Sequence, residues 1–434
     1  MLLYAYVIVP PLHASSPHCY MRYRPTAKGK IVFRLLALRD ARLYLLGQTL
    51  SLFGDTALYL ALGIWVKSLT GSNAAAGLIF FALALPALAA PAAGLLVDRV
   101  RRRPLMIATD LLVGAAVLLL LLVHDRHQLW LIYAVAGLYG AAGLVFSSAQ
   151  SALLTVMLPD DILSEGNAAL QTIREALRIV GPLAGASLYA AVGGGAVAIV
   201  DALTFGASAV CLAGLHVPET PRKRHDQHLS TELAAGVRHV VRTVTLRHIV
   251  LTVALALLVI GFSETIVFAV VGQGLHRPPS FLGALSAAQG VGAIGGGLTA
   301  TRVMRRVGDA RLIALGLGLF ALGEIPLISG ELAVVVGGFI VAGAGLPWIV
   351  VGFGTALQRR APADLQGRVY SAADTMVSVP QTISIAVGAG LSTIVDYRIL
   401  IAVMAVVALG CATFLFTRRS PLPVTAQPTI PASV

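Results

Sequence analysis

Asp55 sits near the middle of a long apolar run, with Gln48 seven residues before it and Tyr59 four residues after it. In a helix the three would share one face. A carboxyl group at the centre of a membrane-spanning helix costs at least about 2.5 kcal/mol on insertion scales, so it needs a cavity, a partner or a proton. Two readings fit it: a group that takes up a proton from one side and releases it to the other, or a protonated acid whose hydrogen bonds merely tie helices together. Glu264, in the first apolar run of the second half, meets the same cost and admits the same two readings. Asp201 lies nearer the end of its run and is a third candidate for proton coupling. Asp374, Ser378 and Gln381 recur at helical spacing as a second polar stripe, although the positive end of its own helix could stabilise Asp374. Asp110 and Glu324 fall close to the ends of their runs, where an acid is an ordinary interfacial residue.

The elements that must hold these side chains follow from composition. The chain has 434 residues, 57% of them hydrophobic and only 12% charged, with a mean hydropathy of +0.84. That exceeds what a soluble domain of this length usually carries. Apolar runs long enough to cross about 30 Å of hydrocarbon as helices occur at 43–66, 74–97, 105–123, 129–157, 167–192 and 194–215. A second set falls at 248–273, 281–301, 310–329, 332–357, 368–395 and 398–416. The expected fold is an all-α membrane protein with twelve transmembrane helices in two six-helix bundles, 43–215 and 248–416. A cytoplasmic N-terminal segment, 1–42, precedes them and a disordered cytoplasmic tail, 417–434, follows. Between the halves, 216–247 reads as a cytoplasmic linker containing an amphipathic surface helix from Ser230 to Arg247.

The net charge of +12 is concentrated in short connectors, without the aromatic-interleaved basic surface that nucleic-acid binding requires. Arg101–Arg103, Arg222–Arg224, Arg302, Arg305, Arg306, Arg359, Arg360, Arg418 and Arg419 fall on one side of the expected topology. That bias puts both termini in the cytoplasm, next to anionic headgroups. Met1 to Val9 is apolar but too short to span and has no basic flank before it, which leaves Met21 as an alternative start. The three cysteines, Cys19, Cys211 and Cys411, have no metal-ligand spacing and predict neither disulfide nor metal. Phosphate-binding loops, zinc-protease motifs and nucleophile elbows are absent from the sequence, so neither an enzyme nor a cofactor is expected.

The connector Gly94-Leu95-Leu96-Val97-Asp98-Arg99-Val100-Arg101-Arg102-Arg103 recurs in worn form at residues 297–306, with Thr301 in place of the acid. A doubled membrane bundle of this kind is a transporter architecture. Gly94, Asp98, Arg99, Arg102 and Arg103 resemble the signature of the major facilitator superfamily between its second and third helices. Leu69-Thr70-Gly71-Ser72, Asn167, Gly181-Pro182 and Asp201-Ala202 narrow the likeness to bacterial exporters such as macrolide efflux pumps and the enterobactin exporter. The resemblance spans residues 35–416. It implies a central cavity, alternating access and proton antiport, with Gly94, Asp98, Arg99, Arg102 and Arg103 latching the cytoplasmic side against Asp374 at the start of the eleventh helix. Two departures bear on the proton route: Leu177 replaces an earlier glycine of the antiporter signature, and the fourth helix lacks an embedded arginine.

The resulting expectation is a monomeric exporter of amphipathic small molecules in a bacterial inner membrane, powered by protons. Asp55, Glu264 and Asp201 serve the coupling; Gln48, Tyr59, Ser378, Gln381, Trp348 and Phe353 line the substrate cavity; Gly181, Pro182 and Gly185 let helices approach closely. An importer, a dedicated natural-product exporter, or a receptor or scramblase on the same scaffold would use the same residues.

Overall fold

The computed structural model describes residues 35, 37–89, 100–159, 162–217, 229–362 and 365–418, and among them the regular elements are all helices. The first half consists of α1 (Arg39–Thr70), α2 (Asn73–Ala84), α3 (Arg102–Leu118), α4 (Leu129–Met157), α5 (Leu163–Val192) and α6 (Gly194–Ala213). A short helix, α7 (Leu229–Arg242), precedes the second half, which contains α8 (Val244–Ile260), α9 (Ser263–Ala269), α10 (Leu282–Val307), α11 (Asp309–Glu324), α12 (Leu332–Arg360), α13 (Gln366–Leu391) and α14 (Tyr397–Thr417). Among the described residues, each of the twelve expected runs falls mainly on helix. Nine stretches of the described residues are long and apolar enough to cross a membrane, and Asn73–Ala89 is a shorter apolar helix. The rest of the expected second run, to residue 97, lies outside the described residues. α5 and α13 complete the set; they are 30 and 26 residues long but are made more polar by Arg174, Glu175 and Arg178 in one and Arg368, Asp374 and Gln381 in the other.

Local chemistry sets the boundaries. α1 stops because Gly71 takes a left-handed conformation, φ 69°, and returns its N–H to the Lys67 carbonyl at 2.8 Å, a conformation glycine adopts without side-chain penalty. One residue later the Ser72 hydroxyl accepts the Ala75 N–H at 3.2 Å and opens α2, as an N-cap serine does. The Leu-Thr-Gly-Ser segment is therefore a two-part helix hairpin signal. Gly193, with φ 93°, makes the turn between α5 and α6. The seventh run breaks in its middle: α8 ends at Ile260, Gly261 and Phe262 form a turn, and α9 restarts at Ser263 directly before Glu264. The amphipathic segment is shorter than expected. α7 ends at Arg242, and α8 begins at Val244 rather than 248, because the apolar face of α7 packs on α13. A Cβ on Gly236 would collide with the Arg368 carbonyl, and His239 Nε2 lies 3.1 Å from the Arg360 carbonyl.

In the first half α1 is wedged between α5 and α6. Glycine makes both approaches possible: a Cβ on Gly47 would stand 2.8 Å from Cys211 Cβ, and one on Gly185 would run into the Ala57 carbonyl. In the second half α12 packs on α10 and α11, and α11 on α14. Between the halves α5 meets α10, while α2 meets α9 and α13. The close approaches there involve Gly63 with Phe268, Gly77 with Thr265, Ile179 with Gly290, and Ala186 with Gly283. All of these lie toward the end of the bundle remote from the chain termini. The halves are thus sealed at that end.

Candidate functional site

The cavity that contains Asp55 lies in the opposite part of the first half, nearer the termini. It has a volume of about 220 Å³ and is walled by α1, α3, α4, α5 and α6. Gln48 and Asp55 enter it from α1, Asp110 from α3, Tyr139 and Gln150 from α4, and Arg174 from α5. The Tyr139 hydroxyl donates to Asp55 Oδ1 at 2.5 Å and stands 3.5 Å from Asp201 Oδ2. Asp201, fully buried on α6, comes this close because α1 carries glycine at position 54, where a Cβ would collide with Asp201 Oδ1 and Thr204 Oγ1. The second oxygen of Asp201 has no hydrogen-bond partner among the described residues.

Deeper toward the termini, Gln150 Nε2 donates to Gln48 Oε1 at 2.5 Å, and Arg174 donates to Gln150 Oε1. This chain of bonds fixes the guanidinium of Arg174 on the wall of the cavity that Asp55 also lines. The adjacent residue of α5, Glu175, accepts from Gln171 at 2.7 Å and pairs with Arg178 at 3.3 Å. The cavity therefore combines buried carboxyl groups, one held cation and the aromatic faces of Tyr139, Phe146 and Phe205. Such a surface binds a ligand that is partly apolar and partly charged, and its acids can exchange a proton with it.

Glu264 belongs to a different space. It lines a smaller cavity, about 70 Å³, together with Glu324 of α11, Gln289 of α10 and Gln381 of α13, with Leu60 and Phe80 of the first half completing the wall. Glu324 is buried, 5% exposed. α11 ends there, and the tight turn Ile325–Ile328 carries the chain onward. Asp110, 1% exposed, likewise faces a cavity.

The remaining expected residues are dispersed. Tyr59 does not accompany Gln48 and Asp55; its ring packs at a tilt against Phe80, 4.9 Å between centroids, because α1 by that point has passed into the sealed end. Trp348 donates to the Gly296 carbonyl at 2.9 Å and lines a peripheral groove with α11 and α14, away from both acidic cavities. Phe353 is half-buried against the apolar core of the second half. Ser378 accepts from Thr382 through its carbonyl, and only Gln381 of the α13 stripe reaches the Glu264 cavity. Asp374 is half-buried one turn from Tyr370. Gly181 packs against Thr56 of α1, and Pro182 and Leu183 meet Gly283 of α10, so this stretch of α5 touches both halves.

Gly94, Asp98 and Arg99 lie outside the described residues. Of the rest of that connector, Arg102 is buried, and Arg103 donates to the Leu212 carbonyl at 2.8 Å and to the Ala213 carbonyl. It thereby caps the C-terminus of α6, where a cation is favoured by the helix dipole. Sequence reading did not single out Tyr139, Gln150 or Arg174. The signal was present for one of them: Arg174, Glu175 and Arg178 are charges inside an otherwise apolar run, spaced for one helical face.

A helical membrane protein with two bundles, a seal at one end and a polar cavity toward the other is built as a secondary transporter. The chain belongs to the Major Facilitator Superfamily, whose sequence profile matches residues 44–273 and 253–432. It is 29% identical over 350 residues to the multidrug efflux pump Tap of Mycobacterium tuberculosis, a match covering 76% of this chain and 81% of that one. The uncharacterized MFS-type transporter YfiS of Bacillus subtilis is 25% identical over 360 residues, covering 79% and 84%. Macrolide efflux protein A of Streptococcus pyogenes is 26% identical over 176 residues, 40% and 44% of the two chains. Among solved structures, a bacterial homologue of the iron transporter ferroportin in its inward-facing state superposes with a TM-score of 0.69 at 16% identity, over 88% of this chain and 99% of that one. An auto-inhibited peptide transporter of the POT family also gives 0.69, at 12% identity over 90% and 99%. These structures share the fold. The protein is a multi-pass membrane transporter and not an enzyme.

Proposed function

We propose that this protein exports amphipathic small molecules from a bacterial cell by alternating access coupled to proton antiport. The reading rests on one observation above the others: Asp55, at mid-helix in α1, faces a cavity large enough for part of a drug-sized molecule while bonded to Tyr139. A carboxyl group in that position can be occupied by a proton or by a polar group of the substrate, and competition between the two couples their movements. The efflux activity named for Tap and macrolide efflux protein A supports the outward direction. With the termini in the cytoplasm of the inner membrane, residues 43–215 and 248–416 are the rocking bundles, 216–247 is their cytoplasmic linker, and the transporter works as a monomer among anionic lipids. Asp98 and Arg99 latch the cytoplasmic side when the cavity turns outward. Glu264 joins the coupling from the second bundle.

The reading is tested in everted vesicles containing the protein, with ethidium as a lipophilic cation. Wild type should release protons from acidified vesicles when ethidium is added, and Asp55→Asn should lower that flux at least tenfold with unchanged membrane insertion. Ethidium transport without proton movement, or an Asp55→Asn variant with wild-type flux, would remove the antiport assignment.

A further inference from the structure

The hydroxyl of Tyr139 carries one hydrogen and stands between two carboxyl groups, 2.5 Å from Asp55 and 3.5 Å from Asp201. Its own proton can satisfy only one of them. The two acids also differ in what they face. Asp55 lines the cavity, whereas Asp201 lies behind it, fully buried, with one oxygen lacking any partner among the described residues. Two carboxylates within reach of one hydroxyl, one of them fully buried, repel each other strongly if both are ionised, so such a pair retains a proton. We infer that Tyr139 is the relay through which Asp55 and Asp201 share a single proton, and that Asp201 stores it while Asp55 engages a cationic group of the substrate. The inference rests on the proposed antiport reading and adds the place where the displaced proton waits.

The transfer balances without a further reactant. With the proton on Asp55, its O–H donates to the tyrosine oxygen and the tyrosine O–H points at the Asp201 carboxylate. A cation approaching Asp55 favours its ionised form; the Asp55 proton passes to the tyrosine oxygen as the tyrosine proton passes to Asp201. Tyr139 ends as it began, now donating to Asp55, and Asp201 is the neutral acid. Asp201 then gives the proton up to the cytoplasmic side before the substrate-loaded bundles turn, as antiport requires. Gly54 is the feature that permits the relay, since any side chain there would push Asp201 away. The other charged groups on this cavity are Asp110 of α3, Arg174 of α5, and the paired Glu175 and Arg178. Arg174 sets the local potential at Asp55 but carries no transferable proton at ordinary pH.

Infrared spectroscopy of the purified full-length protein near pH 7 reads the carboxylic C=O band directly, and a pH-indicating dye reads protons released on ethidium binding. The difference between wild type and the Asp55→Asn/Asp201→Asn double variant should correspond to one carboxylic acid; none or two would overturn the sharing, whether or not ethidium binds. Ethidium binding to wild type should first keep this band and shift its frequency, and should release about one proton per ethidium only after a delay, as Asp201 gives its proton up. Asp201→Asn and Tyr139→Phe should each lose the band and release about one proton per ethidium without that delay, at the rate of binding. The same release rate in wild type and Tyr139→Phe overturns the relay. If wild type fails to bind ethidium, it is the substrate reading that falls, and the ligand-free band still decides the shared proton. An effect confined to folding would lower the amount of binding-competent protein without changing protons released per bound ethidium.

Discussion

The Arg174 cation at the cavity is held by a second group whose own position depends on a third: Arg174 is held by Gln150, and Gln150 is held by Gln48. A lysine at position 174 keeps the charge but loses the planar fork that lets arginine serve two partners at once. Arg174→Lys is therefore expected to retain less than about a tenth of wild-type ethidium efflux, a loss of about 1.4 kcal/mol or more of functional free energy, while inserting normally. Full activity in a vesicle assay would show that charge alone suffices. Arg360 illustrates a different use of the same residue. It makes two hydrogen bonds to Asp309, at 2.6 and 3.0 Å, with both side chains largely buried. Removing one partner of a buried ion pair leaves the other uncompensated, at a cost of about 3–5 kcal/mol. Arg360→Ala should accordingly lower the thermal unfolding midpoint in detergent markedly, and Asp309→Asn/Arg360→Met should recover much of the loss. Arg360 counts toward the positive side of the sequence, yet its charge is spent on joining α11 to α12.

Helices in this protein approach through glycine because lipid supplies no hydrophobic drive for apolar surfaces to leave it, so close backbone contact carries the association. The contacts are not equivalent. A Cβ on Gly185 meets backbone of α1, which cannot move aside, whereas one on Gly318 meets nothing within 4 Å. Gly185→Val should therefore destabilise the first bundle by about 1–3 kcal/mol, the usual cost of overpacking, and Gly318→Ala should be neutral or slightly stabilising through better helix propensity. Parallel thermal melts of the two variants check the contrast; equal midpoints would mean that α1 and α5 repack freely. The repeat of small residues along α5 and α10 was visible in the sequence. Which of them touch a helix and which face open space was not, because small-residue spacing is the same in both cases.

At the scale of the whole molecule, the halves meet at the end remote from the termini, through Gly63 with Phe268, Ile179 with Gly290, and Ala186 with Gly283. If alternating access operates, this seal must open in each cycle. A cysteine pair at Ala186 and Gly283 should form a disulfide, since the Cβ positions are 2.6 Å apart and a separation of about an ångström brings them to disulfide spacing. Oxidation is expected to stop efflux at least tenfold and a reducing agent to restore it. Continued transport in the cross-linked protein would mean that substrate never passes between α5 and α10.

The sequence by itself determined that the chain is a doubled helical membrane bundle, because apolar run length is dictated by bilayer thickness and each run must satisfy its own backbone. It also marked Asp55 and Asp201, since an acid in such a run is costly wherever the helix is placed. Partnership was decided only by tertiary structure. Tyr139 of α4 joins Asp55 of α1 and Asp201 of α6, which are 84 and 62 residues from it in the chain, and the cation nearby comes from α5 rather than α4. Tyr59 and Trp348 point elsewhere although their periodicity or chemistry suited a cavity. Helical periodicity fixes which residues share a face, but the rotation of each helix against its neighbours settles what that face meets, and that rotation follows from where glycine lets backbones touch.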